Sequence, residues 1–229
     1  MLRSIKQLYG IKLGALDGEI GHVKDFYFDD KNWAVRYVVA DTGSWLTGRL
    51  VLISPYSLGR LGQAGKVLSV NLTRKQIEDG PSIGSHKPVS RQYEEECHNY
   101  YGWPYYWQGD ALWGISGVPI MVLPSKPSAS TSGAQPKRPD AHLRSAHAVL
   151  RATDGLLGHD CDFMMEDQSW ALGQLVIKTG NRFSGKEARV PASEVDRISH
   201  EESTVFVNLT SDAVEQRPAH YLAAEPAVF

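Results

Sequence analysis

Cysteine is scarce in this sequence: Cys97 and Cys161 are the only two in 229 residues. They form neither a CxxC pair nor a disulfide framework, so a reducing compartment is expected. An excess of one charge is also lacking. The 24 basic and 26 acidic residues leave a net charge of −2, which offers no broad attraction for nucleic acid or anionic lipid. No apolar run approaches the length of a membrane span; the stretch from Ile115 to Leu123 is short and Pro119 interrupts it. Met1 to Gln7 holds no apolar core of signal-peptide length. These absences predict a cytoplasmic protein with no membrane span and no nucleic-acid partner. What is present is ordinary globular composition, 42% hydrophobic and 22% charged, in a chain long enough for one or two domains.

The chain repeats itself. Asp17, Gly18, Gly21, His22, Asp25 and Phe26 recur as Asp154, Gly155, Gly158, His159, Asp162 and Phe163, all 137 positions later. The same offset relates Trp33 to Trp170, Thr42-Gly43 to Thr179-Gly180, Gly48 to Gly185 and Asn71-Leu72-Thr73 to Asn208-Leu209-Thr210. Pro55 and Pro191 match after a one-residue slip, and Leu2-Arg3-Ser4 matches Leu143-Arg144-Ser145 after a four-residue gap. Rare residue types held in register this long indicate duplication, and an internal repeat decides architecture before anything else does.

Each copy reads mostly as β. In the first, strands are expected over His22–Asp29, Ala34–Asp41, Arg49–Ile53 and Val67–Val70; in the second, over His159–Met165, Ala171–Lys178, Ala188–Val190 and Thr204–Asn208. Val35, Tyr37 and Val39 alternate with Ala34, Arg36 and Val38 as in a half-buried strand. Asp17-Gly18 and Asp154-Gly155 are the two-residue signal of a type I′ hairpin. Ser4 with Gln7, and Thr73 with Gln76, have capping-box spacing for short helical turns. Short strands at close spacing, with Gly and Pro turns, suggest a small barrel rather than an open sheet.

Pro81 to Asp140 matches neither copy. Its first part is aromatic, with a helix expected from Ser90 to about Tyr101 and stopped by Gly102. Tyr93, Cys97, Tyr100 and Tyr101 would share one face of it. Its second part, 124–139, is rich in Pro and Ser, the composition of a linker.

The run from Asp17 to Phe26, together with Val51-Leu52-Ile53-Ser54-Pro55, resembles the PRC-barrel family. The second copy departs from it where Asp160-Cys161-Asp162 replaces Val23-Lys24-Asp25. The resemblance spans about two-thirds of the chain and leaves the join uncovered. It implies a mainly β protein built of two small PRC-like β-barrels in tandem, with short helices and an aromatic-rich connecting segment. The expected layout is copy 1 over 1–80, the aromatic helix and linker over 81–141, copy 2 over 142–222 and a tail over 223–229. The implied role is adaptor-like protein–protein contact, with no catalytic residues and no cofactor.

Candidate sites follow from composition. The aromatic block Tyr100, Tyr101, Trp103, Tyr105, Tyr106 and Trp113 is either a partner or homodimer surface, since Tyr and Trp bury much area at little entropic cost, or packing against a barrel. His22 with Asp25, and His159 with Asp162, hold matching positions and form the candidate metal or proton-handling pairs. A spacing of three on a strand sets the two side chains on opposite faces unless a bulge intervenes. Glu94 and His98, at i and i+4, read as a solvated acid–base pair. The expected function is a non-enzymatic binding or scaffold protein. The alternatives are a sensor or enzyme using His22 and His159, and a ribosome- or RNA-associated factor.

Overall fold

A computed structural model describes residues 1–59, 67–81, 83, 89–120, 143–145, 149–152, 155–158, 161–179, 186–199 and 204–215. His159, the whole segment 121–142 and the tail 223–229 lie outside them. The protein is mainly β. Strands β1 (Leu2–Ser4), β2 (Lys12–Ala15), β3 (Gly18–Asp29), β4 (Ala34–Asp41), β5 (Leu50–Ile53) and β6 (Val67–Ser69) belong to the first copy, with helix α1 (Arg74–Glu78). Helix α2 (Arg91–Tyr101) lies in the join. The second copy supplies β7 (Leu143–Ser145), β8 (Val149–Ala152), β9 (Gly155–Gly158), β10 (Cys161–Glu166), β11 (Leu172–Thr179), β12 (Lys186–Pro191), β13 (Val195–Ser199), β14 (Thr204–Val207) and helix α3 (Ser211–Glu215). Two units form: Met1–Ala146 with Met165–Ala171, and His147–Met164 with Leu172–Phe229. The first unit therefore takes in the join and two short pieces of the second copy, one at β7 and one at Met165–Ala171.

In the first unit the strand order is β5-β4-β3-β2-β6, and β7 also pairs with β3. In the second, β10-β11-β12 lie side by side in one sheet and β13-β14-β8-β9 form another. Among the described residues none of these sheets closes into a barrel, which corrects the expectation of two closed barrels. The reason is local. The chain leaving β5 turns through a 3-10 corner at Pro55–Ser57, and the ladder toward β6 is reduced to a Leu58–Val70 bridge. The chain leaving β12 turns likewise through Ala192–Glu194 into β13.

The duplication is visible bond by bond. Leu13 pairs with Gly21 on one side and, in parallel, with Leu68 on the other. Leu150 pairs with Gly158 and, in parallel, with Val205. A register shift follows Leu13 in the first case and Leu150 in the second. Val38 pairs with Ile53, and Leu175 with Val190. The Asn71 amide donates to the Ser57 carbonyl at 2.7 Å, and the Asn208 amide to the Glu194 carbonyl at 2.9 Å. Every one of these pairs is related by the offset of 137. Trp33 and Trp170 share an unusual backbone, with φ of 50° and 59°. A bulky residue in the left-handed region costs about 1–3 kcal/mol and persists only where its surroundings enforce it. One enforcing feature repeats: Asp29 accepts from the amides of Lys31 and Asn32, and Glu166 from those of Gln168 and Ser169.

Other local expectations meet the structure unevenly. The Thr73–Gln76 capping box forms at α1; at the 3-10 turn Lys6–Leu8 the N-cap is Ile5, and Ser4 Oγ, one residue earlier, accepts from the Gln7 amide at 3.2 Å. The β2–β3 hairpin closes at Ala15 and Gly18, so its central residues are Leu16 and Asp17, neither at positive φ. It is not the type I′ turn expected from Asp17-Gly18. The Asp17 carboxylate instead accepts from the Arg74 amide at 2.7 Å and anchors the hairpin to the start of α1.

Both faces of β4 are buried, from Ala34 to Ala40. Its counterpart β11 keeps the alternation of a one-sided strand, with Leu175 and Ile177 buried and Gln174 and Val176 half-exposed. The join accounts for the difference.

Candidate functional site

Ser90 caps α2 by accepting from the Tyr93 amide, and Gly102, at φ 71°, ends it. The sequence predicts both signals. The buried side of the helix is turned from the one expected: Glu94, Cys97, His98 and Tyr101 face inward, Tyr93 is half-buried and Tyr100 is exposed. Glu94 and His98 are each 1% exposed, so they are not a solvated pair.

Glu94 organises a polar cluster inside the first unit. Its Oε1 accepts from the Tyr37 hydroxyl at 3.1 Å and the Tyr106 hydroxyl at 2.6 Å. Its Oε2 lies 3.0 Å from Arg91 Nη1. His98 Nε2 lies 2.9 Å from the same Tyr37 hydroxyl. With Tyr37 donating to Glu94, Nε2 carries the imidazole proton and donates to Tyr37. Arg36 fills the adjoining space. It meets Asp29 Oδ2 at 3.2 Å, donates to the Leu112 carbonyl at 2.6 Å and stacks over Tyr106 and Trp113, 4.0 and 4.9 Å from their ring centres. Trp103 Nε1 donates to Ser57 Oγ, and the Tyr56 hydroxyl to the Trp113 carbonyl. Farther along α2, Tyr93 and Tyr100 donate to the carbonyls of Pro81 and Gln76.

No protein-family model matches this sequence, and neither does any curated protein. The functional reading therefore rests on the residues alone. Among the described residues no helix is long and apolar enough to cross a membrane.

The six aromatic candidates divide. Tyr101, Trp103, Tyr106 and Trp113 are buried; Tyr105 is half-buried, its hydroxyl donating to Asn99; Tyr100 is 41% exposed. The histidine pairs fare differently. A bulge at Lys24 does interrupt β3 between Val23 and Asp25, and the half-buried His22 and Asp25 alternate with buried Val23 and Phe26. The bulge thus sets His22 and Asp25 on the same face of the strand. The Asp25 carboxylate, however, is occupied by the Tyr9 hydroxyl and the Phe26 amide. Asp162 is half-buried, and its partner His159 lies outside the described residues. Among the described residues no three His, Cys, Asp or Glu side chains gather as a metal site.

The chemistry of the cluster is that of a sealed network. Burial pushes His98 down to about 3, against the backbone of Pro104 and Trp103, which favours the cation. Burial raises Glu94, opposed by Arg91 and by the Tyr106 and Tyr37 hydroxyls. Burial and the nearby Glu94 hold Tyr37 and Tyr106 far above the ordinary phenol range, so both remain donors. Asp29 falls below its usual value: burial opposes this, and the Asn32 hydrogen bond, the Arg36 charge and the Lys31 amide outweigh it. A chain of hydrogen bonds from Glu94 through Tyr37 to His98 could carry a proton, but no member is open to a substrate.

A pH dependence follows from His98. In the unfolded chain an imidazole takes up a proton near pH 6.5; in the folded protein this one stays neutral to about 3. Below pH 6.5 the unfolded state binds more protons, so stability falls as pH falls, by at most about 1.4 kcal/mol per pH unit. Glu94, raised by burial, works in the opposite direction. His98→Gln isolates the imidazole: between pH 7 and 5 the native protein is expected to lose about 2 kcal/mol more than the variant in urea unfolding. Parallel losses would rule out a buried neutral His98.

Reading the sequence one element at a time misses this cluster because its parts lie on β4, α2 and the segment after α2. One signal was available. Arg36, Tyr37 and Tyr56 have Gly173, Gln174 and Ser193 as their counterparts in the second copy. Positions at which one copy carries large side chains and the other small or polar ones mark where the join docks.

Proposed function

We propose that this chain is a non-enzymatic binding or scaffold protein made of two PRC-barrel-like modules that have diverged to present different surfaces. One observation carries the reading. The first module holds the aromatic join through Tyr37, which bonds Glu94 on the helix, and through Arg36 and Ser57, which bond Leu112 and Trp103 beyond it, whereas the same positions in the second are Gln174, Gly173 and Glu194. Duplicated modules that keep one hydrogen-bond register and differ in what covers them suit an adaptor better than an enzyme. The buried half of the join is committed to this internal docking. Contact with a partner, or with a second molecule in a homodimer, falls to the rest: the exposed Tyr100, the half-buried Tyr105 and the loop bearing Ile115, which is 93% exposed. Aromatic and aliphatic side chains left exposed on one segment supply the apolar area that contact with a partner buries.

The double variant Tyr100→Ala, Tyr105→Ala tests this. Its unfolding free energy should stay within about 1 kcal/mol of the native value, because neither side chain is fully buried. Its self-association by light scattering, or its capture of a native partner, should be lost. Association unchanged in a folded double variant would remove the exposed join as the contact surface.

A further inference from the structure

The first unit contains two pieces of the second copy, and both sit on the first copy through the backbone. Strand β7 lies antiparallel to β3, with Ser145 opposite Tyr27 and Leu143 opposite Asp29. The turn 165–171 meets the first copy at a different place. Ala171 bridges Ala34, and the Val35 amide donates to the Trp170 carbonyl at 2.9 Å. Trp113 Nε1 reaches the Ser169 carbonyl at 2.7 Å. At the far side of the turn, the Asp167 amide donates to the Met1 carbonyl at 3.0 Å, and Asp167 Oδ2 lies 3.4 Å from Arg3 Nε.

Two features define what this surface recognises. Ala34 and Ala171 are the same position in the two copies, 137 residues apart, and they pair with each other. Within the first unit a residue of the first copy thus meets its own equivalent. The exchange is also reciprocal. The leading strand of the second copy lies on the end of β3, while Met1 and Arg3, at the start of the first copy's leading strand, lie on the matching turn of the second.

We propose that the edge of β3, the turn at Trp33–Ala34 and the indole of Trp113 form an interface whose occupant is a like module, and that this chain fills it from within. The first unit is then completed by the second copy and not by residues 1–141 alone. It follows that the covalent link between the copies is dispensable for holding them together, and that a module supplied separately competes for the same place.

The test uses the whole chain. A protease site is inserted in the Pro/Ser-rich segment 124–139, the protein is purified intact and then cut, and its mass is measured in solution. The expected result is one species with the same mass in solution as the uncut protein, whose single chain is 25.4 kDa before the insertion. Release of the two fragments, soluble or aggregated, would overturn the proposal. A second arm assigns the contact. In the cut protein, Trp113→Phe keeps an aromatic ring but loses the hydrogen bond to Ser169, and should raise the dissociation constant of the fragments roughly tenfold. A dissociation constant unchanged by this substitution would mean that the fragments adhere elsewhere, and would equally overturn it.

Discussion

Replacing Glu94 with alanine is expected to cost about 3–5 kcal/mol of stability, as breaking a buried, multiply bonded ion pair does. The substitution removes one acceptor from two buried hydroxyls, those of Tyr37 and Tyr106, and strips Arg91 of its carboxylate partner. Neither hydroxyl can turn to water, because Tyr37 and Tyr106 are sealed within the first unit, whereas the half-buried Arg91 can. Glu94→Gln keeps an acceptor in place and loses only the charge, so its cost should be about 1–2 kcal/mol. Urea unfolding at pH 7 distinguishes the two through the midpoint at constant slope. An alanine variant less than about 1 kcal/mol below the native protein would mean that the cluster is not what fastens α2 to β4.

The second large effect is an asymmetry between equivalent positions. Arg36→Gly gives the first copy the residue of the second and is expected to cost about 3–5 kcal/mol. Asp29 loses its buried guanidinium, the Leu112 carbonyl loses a donor, and the rings of Tyr106 and Trp113 lose the cation stacked between them. The reverse exchange, Gly173→Arg, should change stability by less than about 0.5 kcal/mol, as exposed substitutions do. Gly173 is exposed, has no heavy atom within 4 Å of where a Cβ would sit, and is not at positive φ. Equal costs at the two sites would contradict the assignment of the join to the first module.

Legibility from sequence followed the range of the physics. The repeat, the caps at Ser90 and Thr73 and the stop at Gly102 depend on a few neighbouring residues and could be read directly. Strand limits were nearly right for β4 and β6, whose apolar runs end in turn residues. β3 begins at Gly18, four residues before the expected His22, because the turn signal Asp17-Gly18 does not end the strand there. In fact Gly21, at φ 122°, continues the strand where a Cβ would overlap the Asp41 carbonyl. Strand β2 was missed, since Lys12 to Ala15 is short and earns its place through parallel pairing with β6. The inward turn of Glu94 and His98 could not be seen on the helix itself. Periodicity favoured Tyr93 and Tyr100, and the partners that make a buried carboxylate tolerable lie on β4 and beyond Gly102.

One bond pair tests the duplicated register most directly. Through-hydrogen-bond scalar couplings in the NMR spectrum should link the Asn71 amide to the Ser57 carbonyl and the Asn208 amide to the Glu194 carbonyl. Finding both links would establish that the two modules place the same bond 137 residues apart. Coupling of Asn208 to any other carbonyl, with Asn71 bonded as described, would show that the second half of the chain folds on a different plan.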